Sequence, residues 1–266
     1  MTWLTMSRAL TVLTVLAAPT LALAAPAQAA PGDRYVALGD SYSSGLGTRE
    51  YYQDSGDCKR SPRAYPRLLA DQKGLNLDFA ACQGATTRSV LSSQISHLTA
   101  DTRYVTVSAG GNDAGFSHVI TQCAKPWPAT CGKEMDNAEK FIRTELPAKV
   151  DDLYRQIQSR APRARVVVVG YPLLFMGKTC NLGTRISVAE QNRLNGVAHL
   201  LADTLRTRVQ AFPGFFFADS RNKFTGHAVC AAEEWINGLS NPVPDSFHPN
   251  VAGQRAYSEL ISGALG

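Results

Sequence analysis

The sequence predicts an α/β protein, a three-layer α/β/α sandwich on a central parallel sheet of roughly five strands. Two observations carry this. Short β-branched runs alternate along the chain with longer stretches of helical periodicity, and one run, R-V-V-V-V-G at Arg165–Gly170, is apolar at every position after its first. Alternation of this kind needs crossover connections, hence parallel strands with helices on both faces. A run with no polar alternation suits a central strand covered on both sides.

The elements follow in order. Residues 1–29 read as a secretory signal peptide: Arg8 is their single charge, Leu10 to Ala25 is apolar, and Ala27-Gln28-Ala29 is a small-residue cleavage site. Such a run is too short for a comfortable membrane span. No twin-arginine pair precedes it, which favours the general secretion route. Residues 30–266 then form one domain large enough for its own core. Strands are predicted at Arg34–Leu38, Leu75–Ala81, Tyr104–Ser108, Arg165–Gly170 and Phe215–Ala218. Helices are predicted at Ala64–Gln72, Ala138–Ser159, Ser187–Val209 and Val251–Ala264. In the second, Phe141, Leu146, Val150, Leu153 and Ile157 recur at helical spacing, with Pro147 a kink or boundary. The last helix follows Pro249, a residue type that suits a first-turn position. Loops around 123–133, 175–186 and 224–247 are expected to shape one rim of the sheet.

Composition narrows the function classes. The chain is 18% charged and 44% hydrophobic with a formal net charge of +5, which excludes a disordered chain or a basic nucleic-acid tail. The excess positive charge is scattered and reads as solvated surface, at most a mildly cationic face for anionic interfaces. After Ala29 no apolar run is long enough to span a bilayer. Cys58, Cys82, Cys123, Cys131, Cys180 and Cys230 form an even set in an exported chain, so three disulfides are expected. Nearest neighbours in sequence are the expected pairs: 58–82, 123–131 and 180–230. Metal binding has no C-x-x-C or H-x-x-x-H spacing to support it, and no metal or cofactor is expected.

The residues that carry chemistry sit at strand ends. Gly39-Asp40-Ser41-Tyr42-Ser43-Ser44-Gly45 follows the first strand. It is neither a G-x-S-x-G elbow, since Ser43 stands at the second glycine, nor a phosphate loop. A serine hydroxyl needs a base within reach. The candidate base is His248 in Asp245-Ser246-Phe247-His248-Pro249, where Asp245 can face one ring nitrogen and fix the tautomer. Cys82-Gln83-Gly84-Ala85-Thr86 and Ser108-Ala109-Gly110-Gly111-Asn112-Asp113 follow the second and third strands. Ser41 N–H, Gly84 N–H and the Asn112 side chain are therefore candidate oxyanion donors converging on one point.

These four ordered blocks (G-D-S, Q-G-A-T, G-G-N-D and D-x-x-H-P) resemble those of the SGNH, or GDSL-type, hydrolases, over essentially the whole of 30–266. With six cysteines and a secreted layout the chain is most similar to the Streptomyces secreted lipases, esterases and phospholipases A1 of that family. The resemblance implies the flavodoxin-like SGNH fold, with Ser41 as nucleophile, Gly84 and Asn112 as oxyanion donors, and His248 as base. Asp245 matches the usual triad acid; some relatives instead orient the histidine with a backbone carbonyl two residues before it, here that of Ser246. Tyr42 departs from the pattern, standing where the family's name-giving leucine would be. The implied activity is hydrolysis of lipid acyl esters by a monomeric extracellular enzyme in transient contact with lipid interfaces, with no nucleic-acid partner and no transmembrane anchor after signal removal. Two other readings remain open: a carbohydrate acetyl esterase, and a non-catalytic secreted binding module that retains the fold.

Among the remaining residues, His97, His118, His199 and His227 have no acid at a productive spacing, with His118 and His227 placed nearest the rim. Asp40 and Asp113 are expected to bind backbone N–H groups in their turns. Leu173, Leu174, Phe175 and Met176 suit either an acyl groove or core beneath a loop, and Trp127 and Trp235 a lipid interface.

Overall fold

The computed structural model describes Met1 and residues 29–125, 129–180 and 186–265. Five strands, β1 (Arg34–Gly39), β2 (Asn76–Phe79), β3 (Tyr104–Ser108), β4 (Arg165–Val169) and β5 (Phe215–Ala218), form one sheet in the order β2-β1-β3-β4-β5. Every pairing is parallel, with Val36 of β1 opposite Val105 of β3, and Val105 opposite Val166 of β4. Val166 to Val169 are all buried, as a strand covered on both faces requires. The outer strands are less covered; on β5 the ring of Phe216 is shielded by the Arg165 guanidinium, 3.7 Å from its centroid.

The helical segments are α1 (Ser41–Ser44), α2 (Tyr65–Lys73), α3 (Thr87–Ser89), α4 (Phe116–Cys123), α5 (Gly132–Thr144), α6 (Leu146–Arg160), α7 (Val188–Val209), α8 (Ser220–Lys223) and α9 (Val251–Leu265). They divide between two faces. Helix α2 links β1 to β2 and packs against α9, which also lies on β4 and β5. Helices α5, α6 and α7 pack against one another, and α3 against α6, as a separate layer. Crossovers between parallel strands are right-handed, so the one connection that runs outward from β1 to β2 uses one face and the others use the opposite face. The direction reverses between β1 and β3, and ligands of open α/β sheets bind beyond the strand ends at such a point.

Local chemistry explains most boundaries. Ser187 and Glu190 form a reciprocal capping box that starts α7. Pro147 marks a boundary: α5 ends before Glu145 and α6 starts at Leu146, with Pro147 in its first turn. Strand β2 stops at Phe79 because the N–H groups of Ala80 and Ala81 both turn to the Ala37 carbonyl. Helix α9 follows Pro249 and begins at Val251. Pro249 precedes Asn250, whose Oδ1 accepts from Ala252 N–H and Gly253 N–H and so caps the helix. Helical stretches that were not anticipated include the short α1 and α8, α4, and α3 with the π turn Val90–Gln94 and 3₁₀ turn Ile95–His97 that continue it. The segment 123–133 is not loop throughout, since α5 begins at Gly132.

The cysteines pair as 58–82, 123–131 and 180–230. Each bridge ties loops or element ends, and such bridges typically contribute about 2–4 kcal/mol. The expected signal segment lies, but for Met1 and Ala29, outside the described residues, as does Trp127. Among the described residues no helix is long and apolar enough to cross a membrane.

Candidate active site

The site begins where β1 meets β3. Gly39 lies so close to β3 that a Cβ would stand 2.5 Å from the Ser108 carbonyl oxygen, and its φ is +125°. Glycine at this position lets the two strand ends converge. Gln94, buried in the π turn, closes the end of β1: its Oε1 accepts from Gly39 N–H at 2.7 Å and its Nε2 donates to the Gly39 carbonyl at 2.9 Å. Asp40 then caps α1, its Oδ1 accepting from Tyr42 N–H at 3.0 Å and from Ser108 Oγ at 2.7 Å. Its Oδ2 accepts from the Tyr171 hydroxyl, which in turn accepts from Gly111 N–H at 3.4 Å. Thus one carboxylate joins the ends of β1, β3 and β4 beneath Ser41. Burial pushes the Asp40 carboxyl up to about 6, although its hydrogen bonds from Ser108, Tyr171 and Tyr42 act the other way.

Ser41 is the first residue of α1, and its Oγ lies 2.8 Å from His248 Nε2. On the other side of the ring, Nδ1 lies 2.9 Å from the Ser246 carbonyl oxygen. A carbonyl only accepts, so Nδ1 carries the proton and the neutral ring presents a bare Nε2 to the Ser41 hydroxyl. Burial lowers the His248 pKa to about 4, opposed by the Ser246 carbonyl and the charge of Asp245. The ring is therefore neutral across the physiological range, as a proton acceptor must be.

Asp245 is placed differently from the expected triad acid. Among the described residues, no hydrogen bond joins it to His248. Its Oδ1 accepts from Tyr51 Oη at 2.7 Å, and its Oδ2 lies 3.9 Å from Arg49 Nε with no hydrogen-bond partner. The backbone explains the change. Phe247 has φ +60°, in the left-handed region, which for a non-glycine residue costs roughly 1–2 kcal/mol. That conformation folds the chain so that the Ser246 carbonyl, not the Asp245 carboxylate, faces the ring.

Gly84 and Asn112 lie on the same cleft as Ser41 and His248. Gly84 takes φ +74° with open space around its missing Cβ, so the demand there is conformational. Among the described residues no acceptor takes its N–H. Asn112 Nδ2 donates one hydrogen to the Ala85 carbonyl at 3.0 Å, fixing the amide and leaving its second N–H. Asp113 accepts from Thr87 N–H at 2.9 Å and Thr87 Oγ1 at 2.6 Å, so the turns after β2 and β3 are braced together.

The cleft encloses about 590 Å³. Its walls are mostly apolar, with Phe116 and Ile120 of α4, Ala198 and Leu201 of α7, and Tyr171 and Leu174 after β4. Leu174 therefore serves both as core and as cleft wall. Phe175 is buried against Phe247, Leu173 is half-buried, and Met176 is exposed. Leu239, Val243 and Lys125 form part of the lining. The sequence reading missed α4 as a wall; its signal was the apolar spacing of Phe116, Val119 and Ile120. Tyr171 and Gln94 left no local signal, because their partners lie far away in sequence.

The other histidines lie apart from this arrangement. His97 does have an acid, Asp78, with Nδ1 2.8 Å from its Oδ1, a pairing across 19 positions that spacing did not reveal. His118 is exposed on α4, and His199 lies beside Arg221. His227 stacks on Trp235 at 3.6 Å between ring centroids.

A model of the GDSL-like Lipase/Acylhydrolase family matches residues 37–256. The chain is 41% identical over 247 residues to Lipase 1 of Streptomyces coelicolor, covering 91% of each chain. The crystal structure of an extracellular lipase from Streptomyces rimosus superimposes with a TM-score of 0.82 at 38% identity, covering 88% of this chain and 100% of that one. That of phospholipase A1 from Streptomyces albidoflavus gives 0.83 at 37% identity, covering 87% and 99%. The protein is a member of the GDSL-like lipase and acylhydrolase family.

Proposed function

We propose that this chain is a secreted lipolytic serine esterase that cleaves acyl esters through an acyl-enzyme. The observation that carries the reading is the Ser41 Oγ to His248 Nε2 contact of 2.8 Å, opening on a largely apolar cleft. In this reading His248 takes the Ser41 proton as Oγ attacks the ester carbonyl. The resulting imidazolium is held by its Nδ1–H bond to the Ser246 carbonyl. Negative charge moving onto the carbonyl oxygen is met by Ser41 N–H, Gly84 N–H and Asn112 Nδ2, fixed donors that need no rearrangement during the step. Collapse of the tetrahedral species expels the alkoxide, which takes the proton from His248. Water then repeats the sequence on the acyl-enzyme and releases the fatty acid.

The apolar walls suit an acyl chain, and relatives named lipase and phospholipase A1 support lipid esters as substrates. Secretion is supported by the apolar leader in the sequence, the three disulfides and the extracellular relative. The test is labelling by a serine-directed phosphonate, with turnover measured over a panel of triacylglycerols, phospholipids and acetylated sugars. Modification at Ser41, an inactive Ser41→Ala variant and a preference for longer acyl chains are expected. An active Ser41→Ala variant would remove the mechanism, and a sharp preference for acetate would remove the lipid assignment.

A further inference from the structure

We propose that Tyr42 is a positioning residue for the catalytic histidine: its hydroxyl holds the left-handed Phe247 turn through which the Ser246 carbonyl orients His248. This rests on the serine–histidine reading above and extends it to a residue outside the reacting atoms.

The observations concern one peptide group. Tyr42 is buried in α1 beside the nucleophile, and its Oη donates to the Phe247 carbonyl at 2.9 Å across 205 positions. Among the described residues no other donor reaches that carbonyl. Phe247 takes φ +60°, a conformation that a non-glycine residue keeps when its surroundings over-determine it. Its N–H donates to the Asn237 carbonyl, and Asn237 N–H donates to the His248 carbonyl, both at 2.9 Å. Asn237 therefore fixes one side of the turn and Tyr42 the other.

The Tyr42 ring is itself fixed. It packs edge-on against Tyr171 at 5.0 Å between centroids and lies 5.4 Å from the His248 ring. Its backbone N–H is held by Asp40 and its carbonyl accepts from Gln254 Nε2 at 3.1 Å. Serine and histidine are thus joined twice, once by the reacting hydrogen bond and once through the side chain next to the serine. A leucine could fill this space but could not donate to the Phe247 carbonyl, so the departure at position 42 brings a function of its own.

The test is Tyr42→Phe, which removes one oxygen and keeps the ring packing. Tyr35→Phe is the control, since it loses a comparably buried hydroxyl bond to Thr106 Oγ1 (2.8 Å) inside the sheet. Rates on a soluble short-chain 4-nitrophenyl ester are expressed per active site titrated with the phosphonate, so any unfolded fraction drops out. For Tyr42→Phe, kcat is expected to fall by about 10- to 100-fold, the range that loss of catalytic alignment produces, with KM within about twofold. The acid limb of the pH profile is expected to move down, because the Ser246 carbonyl bond that raises the His248 pKa loosens. Tyr35→Phe should leave both unchanged.

A second measurement uses Phe247→Gly as the background, because glycine adopts the left-handed turn without strain. There the kcat loss from Tyr42→Phe is expected to shrink several-fold, a non-additivity that bulk destabilisation would not give. Equal kcat and an unmoved acid limb in Tyr42→Phe would overturn the proposal, as would an undiminished loss in the glycine background. Failure of the phosphonate to label the wild-type protein would instead overturn the serine–histidine reading itself.

Discussion

The low pKa of His248 predicts an enzyme that keeps working in acid. A general base is useful only when unprotonated, so the acid limb of kcat/KM reports its pKa in the free enzyme. With burial holding His248 at about 4, about nine-tenths of the imidazole is neutral at pH 5; an unperturbed histidine, at about 6.5, would be only about 3% neutral there. The two cases differ about thirtyfold in rate at pH 5, far outside assay error. The assay is initial hydrolysis of 4-nitrophenyl butyrate from pH 3.5 to 8, with samples quenched into alkali so that product absorbance is constant. Asp40, held at about 6 by burial, titrates within this range. It keeps its bonds from Tyr42 N–H and Ser108 Oγ in either state, and Asp40→Asn separates its contribution. A limb at 6 to 6.5 that persists in Asp40→Asn would refute the reasoning, because it would show His248 solvated like a free imidazole. The two groups contribute to stability with opposite signs. His248, whose folded pKa lies below its unfolded value, makes the unfolded chain the better proton binder, so its contribution falls as pH drops from about 6.5 to about 4. Asp40, whose folded pKa is raised, binds its proton better in the folded chain and contributes in the opposite sense below about 6.

Further outcomes follow from the same geometry. Asp245→Asn is expected to lower kcat only a few-fold, since Tyr51 rather than His248 holds that carboxylate; a loss of about 10⁴, as when a triad acid is neutralised, would restore it as the orienting group. Asn112→Ala should reduce kcat by about 10²–10³ with little change in KM, the effect of removing one oxyanion donor; a change confined to KM would place the asparagine in ground-state binding. Replacing Cys58 and Cys82 together by serine should cost about 3 kcal/mol and so lower Tm by roughly 6–12 °C for a domain of this size, measured by calorimetry. An unchanged Tm would show that the bridge constrains nothing in the unfolded chain.

What was legible in the sequence was local. Short apolar runs, β-branched in β3 and β4 and aromatic in β5, mark the strands because periodicity and burial act over a few residues, and Ser187 with Glu190 announces the start of α7 in the same way. The serine, glycine, asparagine and histidine blocks were legible because each is a turn at the end of an element. Choosing between Asp245 and the Ser246 carbonyl was not possible, because it depends on the sign of one dihedral at Phe247. Besides the nearby Asn237, the side chains that hold this segment are Tyr42 and Tyr51, both about 200 positions away. Tyr171 was invisible for the same reason: its value lies in reaching Asp40, 131 positions earlier. Pro249 marked the approach to α9, but the cap itself is supplied one residue later by Asn250.

The separation of Ser41 from His248 by 207 positions has a consequence for how the enzyme comes into being. The nucleophile is made 207 residues before its base, and α9, which packs on β4 and β5, follows the base. A chain that is still unfolded carries a serine with no base to activate it and is harmless to the lipids around it. Ester turnover therefore needs a long-range contact, and the protein's own activity reports that its two ends have come together.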